Sequence, residues 1–279
     1  LHAVARIRVV ALWNIRCRRG FALDEVPEAP AYVGEGAPSA RWWSRSIGNR
    51  LSRMALWYEP DISKARWFTD SGDSWSRLCS TGPSGFARYA RLFHPPDPDD
   101  DPADPDPISY REGDLPEDAL RRLIGILACH TDTPDDCYFG LWDGFGDIHG
   151  GSAVIMATLS DGLDDPPSAP TVPPAFPPEV IEGPRLRIPA RDYILFRGPV
   201  SEAGQWGAAE LLPGLRRRIN SPNLIWPADR KWFVATEIDL PWTGVAGSVE
   251  LVDTLATDPV LDVEDIDPAA SPTYWRNES

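Results

Sequence analysis

The chain has 279 residues, of which 42% are hydrophobic, and carries a net charge of −15 at pH 7. That composition supports one or two domains with a real core, and no apolar run reaches the length needed to cross a membrane as a helix. The acidic excess argues against nucleic acid or an anionic membrane as partner and suits a basic protein.

The charge is uneven. Residues 1–93 carry 14 basic and 8 acidic side chains, whereas residues 94–279 carry 13 and 34. Val4 to Trp13 is apolar but interrupted by Arg6 and Arg8, which makes a poor signal peptide. Arg41 to Tyr58 spaces Trp43, Ile47, Leu51, Met54 and Tyr58 as the apolar stripe of a basic helix. Such a helix usually packs on its own domain; nucleic-acid binding through it is a third, weaker reading of the chain. Phe86, Tyr89, Ala90 and Phe93 suggest a short helical turn. His94 to Pro107 (HPPDPDDDPADPDP) cannot bury apolar surface and reads as an extended or disordered acidic insertion.

Asp114 to His130 predicts a helix with Pro116 in its first position and a stripe of Ala119, Leu120, Leu123, Ile124 and Leu127. Cys137 to Trp142 (CYFGLW) is a near-continuous apolar run and predicts a central strand. Ser152 to Leu159 is a second apolar run. Asp164 to Pro184 reads as a stiff proline-rich linker. Arg185 to Pro189 and Asp192 to Phe196 are strand-like, with a turn at Arg197 to Pro199, and Gln205 to Ile219 reads as partly helical.

Ser221 to Ser248 (SPNLIWPADRKWFVATEIDLPWTGVAGS) carries the densest signal. Lys231 to Leu240 alternates, with Trp232, Val234, Thr236, Ile238 and Leu240 on one side and Phe233, Ala235, Glu237 and Asp239 on the other. Pro241 ends that strand, and Gly244 and Gly247 read as a turn. Ser248 is a good N-cap for a helix bearing Leu251, Val252 and Leu255, and Val260 to Ile266 predicts a last short strand. The expected fold is therefore α+β, with a mostly antiparallel sheet and a few packed helices. The expected domains are an N-terminal extension over 1–74, a main domain over 75–268 and a tail over 269–279.

Four scattered cysteines suggest a reducing compartment, hence a cytoplasmic location. Cys129 and Cys137 read as buried small apolar groups. The spacing C-H-x6-C-x11-H from Cys129 to His149 lacks the close cysteine pair of a zinc site, so no metal or other cofactor is expected. There is no phosphate loop and no GxSxG nucleophile motif. Glu237 and Asp239, two apart on a strand and about 6–7 Å from one another, are the best candidates for acid/base chemistry, with Asp143 beyond a neighbouring strand. The plainer expectation is that they line the solvent face of a half-buried sheet. Asp229 and Arg230 could pair with them or with a ligand. Of Trp142, Trp226, Trp232 and Trp242, most are expected in the core and one or two on a surface; Trp142, Trp226 and Trp242, each beside a turn, are the candidate anchors for a partner.

Three segments together, His130–Gly146 (HTDTPDDCYFGLWDGFG), Arg191–Val200 (RDYILFRGPV) and Ser221–Ser248, resemble a widespread uncharacterised family of high-GC, actinobacterial-type genomes; Gly85–Pro95 (GFARYARLFHP) looks similar to its early segment. The resemblance implies a cytoplasmic protein and supplies no mechanism. The leading expectation is a non-enzymatic binding protein, with partner-masking in the manner of immunity proteins as one form of it. The alternative is an acid/base enzyme such as a hydrolase.

Overall fold

A computed structural model describes residues 56–95, 112–152, 171–269 and 273–274. Most of the expected basic helix, the acidic insertion from residue 96, the apolar run after Ser152 and the first part of the proline-rich stretch lie outside these residues. The fold is α+β. Its strands are β1 (Trp57–Tyr58), β2 (Arg88–Phe93), β3 (Cys137–Trp142), β4 (Gly151–Ser152), β5 (Thr171–Val172), β6 (Leu186–Ile188), β7 (Arg191–Gly198), β8 (Leu224–Pro227), β9 (Phe233–Thr236), β10 (Trp242–Gly247) and β11 (Val263–Asp265). Nine of them form one sheet, ordered β1-β7-β3-β8-β9-β10-β2-β11 with β6 on β7, and every pairing is antiparallel. The helices are α1 (Arg66–Thr69), α2 (Trp75–Ser80), α3 (Glu117–Ala128), α4 (Gly146–His149), α5 (Pro178–Ile181) and α6 (Val249–Ala256). None among the described residues is long and apolar enough to cross a membrane.

The chain divides into two units. The smaller takes the described parts of Gly146–Phe176, including the β4–β5 pair, and Ala209–Arg217. The larger holds the nine-stranded sheet and begins at Met54, so β1 and α1 belong to it. Trp57 pairs with Arg197 on β7, and Phe68 on α1 is fully buried.

Both faces of the sheet are covered, and this decides what happens along β9. Trp232, just before the strand, donates its indole N–H to Leu127 O at the end of α3 (3.1 Å). Phe233 faces the other way, into an aromatic stack. Its ring lies 6.0 Å from Trp226, which stacks on Tyr138 at 5.3 Å, and Phe68 packs edge-on against both Trp226 and Phe233. Each large aromatic that leaves water contributes about 1.5–3 kcal/mol.

The expected ten-residue strand is therefore corrected to the four residues of β9, buried on both sides. A turn follows, closed by Leu240 N–H donating to Glu237 O at 3.2 Å. The expected Gly244–Gly247 turn is strand β10, paired with β9 and β2. Gly244 is needed because a Cβ there would lie 2.0 Å from Ser80 O, where α2 crosses the strand. The expected helical turn at 86–93 is strand β2. Its burial on both faces hides the period-2 pattern, and Arg91 is buried there through an ion pair to Glu264 (3.0 Å) and the faces of Phe93 and Trp242. No helix forms between 205 and 219, and one short helix, α5, interrupts the proline-rich stretch. Pro116 occupies the position just before the first residue of α3, without a side-chain capping bond, instead of the first helical position. Ser248 caps α6 as expected, accepting from Leu251 N–H at 3.1 Å.

Replacing Gly244 with Ala should lower unfolding free energy by about 3 kcal/mol, because backbone, not a flexible side chain, blocks the new methyl group. Urea denaturation of the two proteins checks this; equal midpoints would mean that α2 does not cross β10 so closely.

Candidate functional site

The site grows from the β6–β7 hairpin. Ile188 pairs with Arg191 across a two-residue loop, Pro189 and Ala190, and Ala190 sits at φ +66°. The tight loop fixes where Arg191 leaves the sheet. Its guanidinium donates from Nε to Glu237 Oε1 (3.0 Å), from Nη2 to the same Oε1, and from Nη2 to Asp239 Oδ2 (3.0 Å). Two indole rings flank it: Trp75, first residue of α2, with its centroid 5.7 Å from Cζ, and Trp142, last residue of β3, at 5.9 Å. Trp75 is exposed, and so is the Asp239 side chain, at 74%. Glu237 is buried, at 8%.

Asn223 holds these pieces in register. It is fully buried. Its Oδ1 accepts from Trp142 N–H (2.9 Å), and its Nδ2 donates to Thr236 O (3.0 Å). Its backbone N–H donates to Gly140 O, and its O accepts from Thr236 N–H. One carboxamide thus ties the end of β3 to the end of β9, and so places Trp142 and Glu237 around the same guanidinium.

The ion pair is lopsided. At the other end of β7, Arg197 forks onto Asp136 with one nitrogen per oxygen, Nε to Oδ1 at 2.6 Å and Nη2 to Oδ2 at 2.8 Å. That geometry holds the Asp136 carboxyl below its usual range. Arg191 instead places both nitrogens on one oxygen of Glu237. The second oxygen, Oε2, is buried and accepts no hydrogen bond from an N–H or O–H group among the described residues, with the Cys79 thiol close to the carboxyl. Loss of water around Glu237 raises its pKa above the usual glutamate range, Arg191 offsets part of the rise, and Asp239 adds to it. Beneath the carboxylate, Tyr193 donates its hydroxyl to Cys79 Sγ at 3.3 Å. Burial, with Glu237 nearby, pushes the Cys79 thiol up to about 12, so it stays protonated at neutral pH.

The other expected site residues are dispersed. Asp143 is engaged by the buried Arg185 (3.1 Å). Asp229 clamps a neighbouring loop, accepting from Thr131 Oγ1 (2.8 Å) and Asp132 N–H (2.7 Å). Arg230 lies over the face of Trp67 at 5.3 Å. Trp226 and Trp242 are corrected from surface anchors to core residues, each 1% exposed, because both faces of the sheet are covered. Glu237 is corrected from a solvent face to a buried position for the same reason; α2 overlies that face. Cys137 is buried as expected, with its thiol also pushed up to about 12, whereas Cys129 is exposed. Among the described residues no group of three or more His, Cys, Asp and Glu side chains is arranged to hold a metal.

Sequence reasoning missed Arg191, Trp75, Tyr193, Cys79 and Asn223. A signal existed for Arg191: it opens an alternating run whose residues 191, 193 and 195 share a face, and a buried acid requires a cation. Comparison with protein-family models, curated proteins and solved structures finds no match.

A carboxyl whose pKa rises on folding binds its proton more tightly in the folded state. Its contribution is therefore most favourable at low pH and is lost as pH climbs from the usual glutamate range through the raised value. Glu237→Gln removes that dependence. The stability difference between parent and variant, measured by urea unfolding at a series of pH values, should shift against the parent as pH rises through this window; a difference that shifts in the parent's favour would mean Glu237 is fully paired.

Proposed function

We propose that this chain is a binding protein for a basic partner, and that the surface around Trp75, Asp239 and the Arg191–Glu237 pair is where the partner docks. The observation that carries the reading is the charge deficit of the cluster. One guanidinium faces two carboxylates, and a buried oxygen of Glu237 lacks a donor. A lysine or arginine from a partner supplies the missing charge at Asp239, beside an exposed indole that shields it from water. The net charge of −15 steers such a partner toward the protein. Cys79, Cys129 and Cys137 are free thiols, which supports a reducing, cytoplasmic setting and accords with the family resemblance in the sequence.

One observation favours the second reading, an acid/base enzyme. The raised pKa of Glu237 is what a general acid requires. The two readings differ in what a cation does: it completes the cluster in a binding protein and blocks the acid in an enzyme.

The test is titration of the full chain with a hexa-arginine peptide by calorimetry in two buffers of different ionisation enthalpy. At a pH within the window where Glu237 titrates, binding should release protons, because the new cation lowers the Glu237 pKa. Asp239→Asn and Trp75→Ala should each weaken binding about tenfold. Asp118→Asn, an exposed acid on α3, serves as the control for net charge. If all three variants bind alike, the peptide is held by the general acidic surface and the docking site lies elsewhere.

A further inference from the structure

β9 borders a second surface feature at the end opposite the Arg191 cluster. β9 runs from Phe233 to Thr236, and Glu237 follows its last residue. At its other end four segments meet: Trp67 of α1, the loop Ser84–Ala87 that leads into β2, the turn Arg230–Lys231, and Gly247–Ser248 between β10 and α6. They line a shallow depression of about 370 Å³. The strand register accounts for the meeting, since Ala246 pairs with Phe233 and Gly247 with Arg88. No residue is shared with the Arg191 cluster.

We propose that this depression binds a small organic oxyanion, a carboxylate or phosphate head carried on a planar apolar body. Four observations converge on that ligand. First, the lining carries two cations and, among the described residues, no carboxylate. One of the two, Lys231, is paired with Asp132, which leaves Arg230 as the cation that faces the depression without a carboxylate partner among the described residues.

Second, Arg230 is left with donors to spare. The acids beside it are occupied: Asp229 accepts from Thr131, Asp132 and Lys231 N–H, and Asp132 pairs with Lys231 Nζ at 2.7 Å. Arg230 itself lies over the Trp67 indole, with Cζ 5.3 Å from the ring centroid, and pairs with no carboxylate among the described residues. A guanidinium held over a ring without a carboxylate partner keeps its N–H donors available, and their fork matches carboxylate and phosphate.

Third, Trp67 and Phe86 form an apolar wall, with their rings edge to face at 6.4 Å, and the indole N–H of Trp67 is buried without an acceptor. Fourth, Arg230 adopts φ +59°, a backbone conformation that glycine takes freely and arginine does not. The turn alone gains nothing from an arginine there. The volume suits a small molecule.

The experiment titrates the full chain with phenyl phosphate, benzoate, inorganic phosphate and phenol. It follows heat and the ¹H–¹⁵N resonance of the Trp67 indole. Phenyl phosphate or benzoate should bind about tenfold more tightly than inorganic phosphate or phenol, because head and body are recognised together. The better of the two identifies the preferred head group. The Trp67 resonance should move with it. Arg230→Gly should weaken binding about tenfold or more while its melting temperature is no lower than the parent's, since glycine relieves the backbone. Arg121→Gln, an exposed arginine on α3, should leave binding unchanged. The proposal is overturned if neither aromatic anion outbinds inorganic phosphate, if the Trp67 resonance stays still, or if Arg230→Gly binds as well as the parent. A lower melting temperature with unchanged binding would give Arg230 a structural role only.

Discussion

The side chain of Asn223 is the contact on which the Arg191 cluster depends. Its carboxamide is fully buried and spends both ends on backbone groups, the N–H of Trp142 and the C=O of Thr236. Buried backbone groups left without partners cost about 1–3 kcal/mol each. The bridge therefore does more than stabilise: it sets the ends of β3 and β9 at a fixed separation. Trp142 ends one strand and Glu237 follows the other, so both reach Arg191 from defined directions. No leucine or alanine at 223 could make that connection.

The electrostatics follow from covering the sheet twice. With α3 and α6 over one face and α1 and α2 over the other, the Glu237 carboxylate just after β9 keeps little contact with bulk water. Arg191 keeps it tolerable without satisfying it, because both nitrogens choose the same oxygen. Arg197, six residues along the same strand, shows the alternative, a fork matched oxygen for oxygen to Asp136. The two ends of β7 thus hold one settled ion pair and one that lacks a donor. Removing one partner of a buried pair is costly, so the cluster stays intact while remaining open to a further cation. β9 repeats the theme along its own length, with acids beyond its last residue and, before its first, an arginine that pairs with no carboxylate among the described residues.

Much of the architecture was legible in the chain. CYFGLW reads as a central strand and is one, because a strand buried on both faces is apolar throughout. Ser248 announces α6 by its hydroxyl. Where the reading failed, burial on both faces was again the cause. β2 and β10 carry no alternation of polarity to betray them, and glycine at 244 suggested a turn when its real role is to let α2 pass. The site was half legible. Glu237 and Asp239 do act together, through one arginine, but the pattern implied a wet face where the fold supplies a dry one. Asp143 was grouped with them by strand adjacency and is drawn away by Arg185. Asn223 gave only a turn signal, since its bridge joins strands that meet solely in three dimensions.

The central claim is that Glu237 is a buried carboxylate short of donors. A ¹³C NMR titration of its side-chain carboxyl in the full chain measures this directly. The account predicts a midpoint above the usual glutamate range; a midpoint at or below that range would mean that its second oxygen is solvated or paired, and would contradict it.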